Sequence, residues 1–182
     1  MSRILLKTLP APAFPRARSY TMSSGPNMRA AATLFFTSPA YAVAGASSQS
    51  HKFGYKIFDW YRQHDLHAVP LNPNCPTITV RRRSYDTLPS PSHLPDPKNT
   101  SLSVITPPPV TAQLLREAKG AGIKAVWLQP GSFTEKEMEY ALEAFPGAAV
   151  GGFSEGTRGG EGWCVLVDGE KYMDAARREG KL

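Results

Sequence analysis

The run Gly45-Ala46-Ser47 follows a short apolar stretch and leads through Ser48 to Lys52 into Phe53-Gly54-Tyr55-Lys56-Ile57. Small residues at such a break let the backbone turn sharply and come close to a ligand. They also leave N–H groups uncovered where the next helix presents its positive end, so phosphate is the natural guest. Lys52 can add a cation to the same place. The dinucleotide fingerprint G-x-G-x-x-G would need glycines at 47 and 50, where the chain has Ser47 and Ser50. Alone, the same residues also suit a tight strand-to-helix turn that holds nothing.

Three further stretches could bear on a ligand. In a dinucleotide domain the residue closing the second strand is Asp or Glu, which accepts hydrogen bonds from the adenosine ribose. Here Asn72-Pro73 stands in that place. An uncharged side chain weakens the case for NAD and removes the repulsion a carboxylate would exert on a phosphorylated ribose. Thr106-Pro107-Pro108-Pro109-Val110 cannot lie inside a central strand, so it pins a rigid loop at a strand's carboxyl end. Gln129-Pro130-Gly131 closes another apolar run. Arg81-Arg82-Arg83 cannot all face one way on an extended strand. They read either as a solvated basic edge or as the source of one guanidinium for a phosphate.

Metal and disulfide chemistry find little support. Cys75 and Cys164 make neither a disulfide framework nor a spaced metal pair, and His51, His64, His67 and His93 show no ligand spacing. No metal is expected. No Ser-His-Asp or Cys-His set can be assembled, and Cys164 by itself reads as a small buried residue.

The elements that must position these residues alternate. Apolar strand runs are expected at 41–46, 67–71, 101–105, 124–128 and 148–150. Helices are expected between them, with Phe53, Ile57, Phe58 and Tyr61 on the core face of one and Val110, Leu114, Leu115 and Ala118 on that of the next. Thr134 and Glu137 have the spacing of a capping box for a third. Residues 30–36 suggest a helical turn under the sheet, 88–100 a variable proline-rich loop, and 151–162 a glycine-rich loop. A short strand is expected at 163–167, with Asp168 capping a final helix that holds Met173 and Ala176. The fold class is α/β: a doubly wound, Rossmann-like parallel five-stranded sheet with a short C-terminal strand and helix.

Charge separates a leader from this domain. The net charge of +6 rests on Arg3, Lys7, Arg16, Arg18 and Arg29, and the first carboxylate is Asp59. Beyond residue 30 there are 16 basic against 15 acidic residues, so the domain has no charge for nucleic acid. Residues 1–30 fit a mitochondrial transit peptide, and 31–182 the folded domain, which places the protein in the mitochondrial matrix or else the cytoplasm. No apolar run approaches the roughly 20 residues that span a bilayer.

Taken in order, Gly45-Ala46-Ser47, Asn72-Pro73, Thr106-Pro107-Pro108-Pro109-Val110 and Gln129-Pro130-Gly131 resemble the CoA-binding domain family, found as small stand-alone proteins and at the start of the succinyl-CoA synthetase alpha subunit. The resemblance covers about residues 40–150. It implies that Gly45, Ala46, Ser47, Lys52, Gly54 and Tyr55 border the phosphates of coenzyme A, with Asn72 and Pro73 at the adenosine end. It further implies that Thr106, Pro107, Pro108 and Val110 line the adenine and pantetheine path, and that Gln129, Pro130 and Gly131 lie where the thiol emerges. Cys164 resembles a cysteine that many stand-alone members carry near the end, which implies a thiol near the CoA sulfur. The arginine run, the proline-rich insertion and the glycine-rich segment depart from the simple pattern. The expected function is binding of CoA or an acyl-CoA without catalysis, as a sensor or carrier. The alternatives are an NAD(P)-dependent oxidoreductase on the same fold and an interaction module without a ligand.

Overall fold

The computed structural model describes residues 26–152 and 162–180, so most of the expected leader and most of the glycine-rich segment lie outside the described residues. Helix α1 (Pro26–Phe35) precedes strand β1 (Ala40–Ala44), helix α2 (Phe53–Gln63) and strand β2 (Ala68–Leu71). Next come strands β3 (Thr77–Val80) and β4 (Arg83–Asp86), two 3₁₀ turns at Pro91–His93 and Pro97–Asn99, and strand β5 (Thr100–Val104). The chain continues through α3 (Pro108–Ala121), β6 (Ala125–Leu128), α4 (Glu135–Ala144), β7 (Ala149–Val150) and α5 (Val165–Arg178).

Five strands pair in parallel in the order β2-β1-β5-β6-β7, which is the expected doubly wound sheet. From β1 the chain winds outward through α2 to β2, and from β5 it winds the other way through α3, β6 and α4 to β7. Right-handed crossovers put α2 on one face and α3 with α4 on the other. Helices α1 and α5 pack on each other, and α5 packs on α2, so these three share a face. The reversal of winding between the adjacent strands β1 and β5 splits the loops at their carboxyl ends apart, which is where open sheets of this kind bind ligands.

Apart from the hydroxyl residues of β5, the strands read as apolar runs because both faces are covered. On the α1/α2/α5 face the fully buried rings of Phe35, Phe36, Tyr41, Tyr61, Trp127 and Trp163 meet largely edge to face. Each such side chain contributes roughly 1.5–3 kcal/mol by leaving water. Ser101 and Ser103 of β5 point into the same layer and are satisfied there. Ser101 donates to the carbonyl of Phe35 at 2.9 Å, and Ser103 pairs with the Tyr61 hydroxyl at 2.7 Å.

Several expectations are corrected. Residues 163–167 form no strand: Cys164 is the N-cap of α5, which begins at Val165, and buried Trp163 packs on Trp127 and accepts its indole N–H at 3.2 Å. Asp168 lies inside that helix and accepts the Cys164 N–H from its first turn. Phe53 and Val110 sit in the first turns of α2 and α3 at the sheet's rim, 56% and 47% exposed, and are not core. The arginine run bends: Arg81 and Arg82, with φ of 46° and 65°, make the two-residue turn of an antiparallel hairpin between β3 and β4. The proline-rich stretch is a fixed layer on α3, with Pro91 and Leu94 buried. Helix α1 starts at Pro26, inside the span expected to be leader.

Candidate functional site

The backbone ladder runs one residue past each central strand. Gly45 N–H donates to Leu71 O, Ile105 N–H to Ala44 O, and Gln129 N–H to Val104 O. The loops after β1, β2, β5 and β6 therefore leave the sheet side by side at one rim.

The loop after β1 depends on two glycines. Gly45 has φ of +91°, and a Cβ on it would stand 3.3 Å from the Ile105 carbonyl carbon and 3.4 Å from Thr106 Cγ2. A Cβ on Gly54 would overlap the Gly45 carbonyl oxygen outright, so the first turn of α2 can lie against this loop only without a side chain there. Among the described residues, the amides of Ala46, Ser47 and Phe53 have no acceptor, while Ser47 Oγ accepts the Gln49 N–H at 3.1 Å. Open N–H groups at a helix start, with exposed Lys52 as the N-cap residue, make a cradle for an anion.

The opposing lip is built differently. Pro107, Pro108 and Pro109 occupy the N-cap and first two positions of α3, so that helix start has no N–H to offer an anion there. Its polar groups close on themselves: Thr111 donates to Thr106 O at 2.9 Å, and the two threonine hydroxyls are 2.8 Å apart. What faces outward is proline and Val110. One lip thus suits phosphates, and the other suits an apolar or planar group.

Asn72 has both ends of its side chain committed. Its Nδ2 donates to Ala46 O at 3.0 Å and its Oδ1 accepts the Asn74 N–H at 2.9 Å, tying the loop after β2 to the cradle. Pro73 is exposed beside it. Tyr55 is half-buried, and its hydroxyl accepts the Arg81 N–H at 3.1 Å, so it braces the hairpin. The Arg81 guanidinium lies 2.7 Å from Asp59, halfway along α2, and Arg83 lines a groove of about 470 Å³ with Asp59, Arg62 and Asp65. These arginines face the helix's later turns, away from the cradle at its start.

At the far side of the crevice Gln129 is buried, Pro130 half-buried and Gly131 exposed with φ of +83°. Gln129 Oε1 accepts the Val165 N–H at 3.0 Å, joining the end of β6 to the start of α5 and bringing half-buried Cys164 to the rim. Cys164 lies close enough to Tyr61 to act on its phenol, whose pKa burial pushes well above the ordinary tyrosine value. The phenol therefore stays protonated. The structure brings together Gly45, Ala46, Ser47, Lys52 and Gly54 as one lip and Thr106, Pro107, Pro108 and Val110 as the other, and seats Gln129 beside Cys164.

Three further residues, which the sequence reading does not single out, hold the site together. Ser48 Oγ accepts the Thr79 N–H at 2.9 Å and anchors the hairpin to the cradle. Ser103 holds Tyr61, and Thr111 seals the proline lip. Hydroxyls alternating with apolar residues along Ser101-Leu102-Ser103-Val104 were the available signal for Ser103.

Comparison with known proteins agrees with this fold. A conserved hypothetical protein from Pyrococcus furiosus shares 28% identity at a TM-score of 0.51, covering 58% of this chain and 86% of that one. A hypothetical protein from Pyrococcus horikoshii OT3 superposes with a TM-score of 0.62 at 20% identity, over 79% and 89% of the two chains. A protein from Thermus thermophilus gives 0.54 at 22% identity, over 64% and 84%. No curated protein sequence matches. The family model described as CoA binding domain matches residues 39–153, a span that holds both lips, Asn72 and Gln129 and stops before Cys164. With well over half of its length so matched, the chain belongs to the CoA-binding domain family.

Proposed function

We propose that the crevice between the loops after β1 and β5 binds coenzyme A or an acyl-CoA, and that the protein acts as a sensor or carrier without catalysing a reaction. The observation that carries this reading is the asymmetry of the two lips. The Gly45 loop offers open amides, Lys52 and glycine clearance, while the Thr106 lip replaces amides with prolines. Coenzyme A has that division: charged phosphates on the one hand, and a planar adenine and a long, largely uncharged arm on the other. Prolines already fixed in place lose little ordering entropy on binding. Asn72 offers no carboxylate to a ribose and spends its polar groups on the cradle, which disfavours a nicotinamide dinucleotide.

Calorimetric titration with CoA and with NADH tests the reading. Heat with CoA and none with NADH is expected. Heat with NADH alone assigns the crevice to an oxidoreductase, and no heat with either, together with no rise in melting temperature, assigns the chain to interaction chemistry. We further propose, from the acid-free leader, that the protein works in the mitochondrial matrix. Mature protein from its native cells should begin between residue 19 and Pro26, where α1 starts, and an intact Met1 terminus would overturn import.

A further inference from the structure

We infer that the far end of the crevice takes an acyl thioester, with Gln129 Nε2 as the donor to its carbonyl oxygen; this rests on the CoA reading above. Gln129 is 2% exposed. Its Oε1 accepts the Val165 N–H at 3.0 Å, and because a backbone N–H can only donate, that bond fixes which end of the carboxamide is oxygen. The other end is then a donor, and it is a buried side-chain atom with no hydrogen-bond partner. A buried donor left unpaired costs stability, and native chains seldom keep one without a use for it.

The surroundings select the acceptor. Val165 follows Cys164 directly, so the bond to Val165 seats the Gln129 carboxamide next to the residue that brings a thiol to the rim. Tyr61 nearby is a neutral phenol already engaged with Ser103. Lys52 belongs to the opposite lip, and Arg81 is paired on the far half of α2. Nothing described at this end neutralises a carboxylate or phosphate, whereas an uncharged carbonyl needs only a donor. The thioester carbonyl is the one next to the ligand's sulfur. Nε2 is closed off from water, so the carbonyl enters only as side chains over it move aside.

Acetyl-CoA and S-ethyl-CoA, a thioether with the same two carbons and no carbonyl, test the inference by calorimetry. Wild-type protein should bind acetyl-CoA about tenfold more tightly, the scale on which a site that hydrogen-bonds a ligand group discriminates. Gln129→Glu keeps an acceptor for Val165 and loses the donor, so the ratio should fall to about one. Equal binding of both ligands by wild type overturns the inference, and that result stands even if the variant fails to fold. A variant that weakens both ligands by the same factor also overturns it, because the donor would then serve an amide of the pantetheine arm. Failure of CoA and both derivatives to bind wild type would instead remove the CoA reading itself.

Discussion

Gly54 carries more of the cradle than any charged residue, because its missing side chain is what lets the first turn of α2 lie on the Gly45 carbonyl. Gly54→Ala should push that turn off the loop. The expected result is a loss of CoA affinity of about tenfold or more, with a lower melting temperature, read by calorimetry and thermal unfolding. Asn72 makes a sharper test of mechanism. Asn72→Asp is nearly isosteric but removes the Nδ2 donor and sets a carboxylate against the Ala46 carbonyl. CoA affinity should fall about tenfold with no NADH binding gained. Gain of NADH binding would show that the side chain reads the ribose after all. The sequence placed Asn72 correctly at a strand end, because position in the chain fixes that. It did not show the bond to Ala46, because its partner is 26 residues away. The same separation in the fold hid Ser48 and Ser103, whereas Thr111 bonds only five residues back.

At the scale of elements, strand and helix alternation was legible because both-face burial writes continuous apolar runs, and the α4 start was legible because Thr134 and Glu137 form the capping box that their spacing suggests. The β3–β4 hairpin was not. Two-residue hairpin turns favour Asn-Gly or Asp-Gly, and Arg81-Arg82 gives no such signal. Holding a non-glycine residue in the left-handed region costs roughly 1–2 kcal/mol. Arg82→Gly should therefore stabilise the protein by up to about 1 kcal/mol in urea unfolding, with the Arg81–Asp59 pair untouched. The proline-rich insertion is fixed by a different device. Glu117 of α3 accepts from the hydroxyls of Ser90 and Ser92 and from the Ser92 N–H at 3.2 Å. Partial burial would raise its pKa, but these hydrogen bonds outweigh burial and hold the carboxyl below the ordinary value. A depressed folded-state pKa gives stability that is present above the unfolded value and lost as the pH falls through the folded one. Melting temperature should decline less steeply through the carboxylate range in Glu117→Gln than in wild type, and parallel curves would show that the insertion does not depend on the charge.

Across the whole molecule, the family resemblance ends at residue 153, yet the core does not. Helix α5 returns over α1 and α2 and buries Trp163, Val165, Tyr172, Met173 and Ala176, so the carboxyl-terminal segment completes one face of the sheet as well as one end of the crevice. Its fit turns on Gly169, where a Cβ would stand 2.7 Å from the buried Trp60 ring and 3.0 Å from Val165 Cγ2. Neither neighbour can yield easily, since Trp60 packs against Phe36 and Tyr61 on its other sides. Gly169→Ala would gain helix propensity of roughly 1 kcal/mol, but the overlap with Trp60 acts against it at about 1–3 kcal/mol. The net expectation is lower stability, with α5 lifted from α2 and the Gln129–Val165 bond at its start loosened. Chemical unfolding should show the loss, and tryptophan fluorescence should shift to longer wavelength as Trp60 and Trp163 meet water. An unchanged or higher stability would mean that α5 packs more loosely on α2 than this glycine contact requires, and the far wall of the crevice would then be a hinged flap.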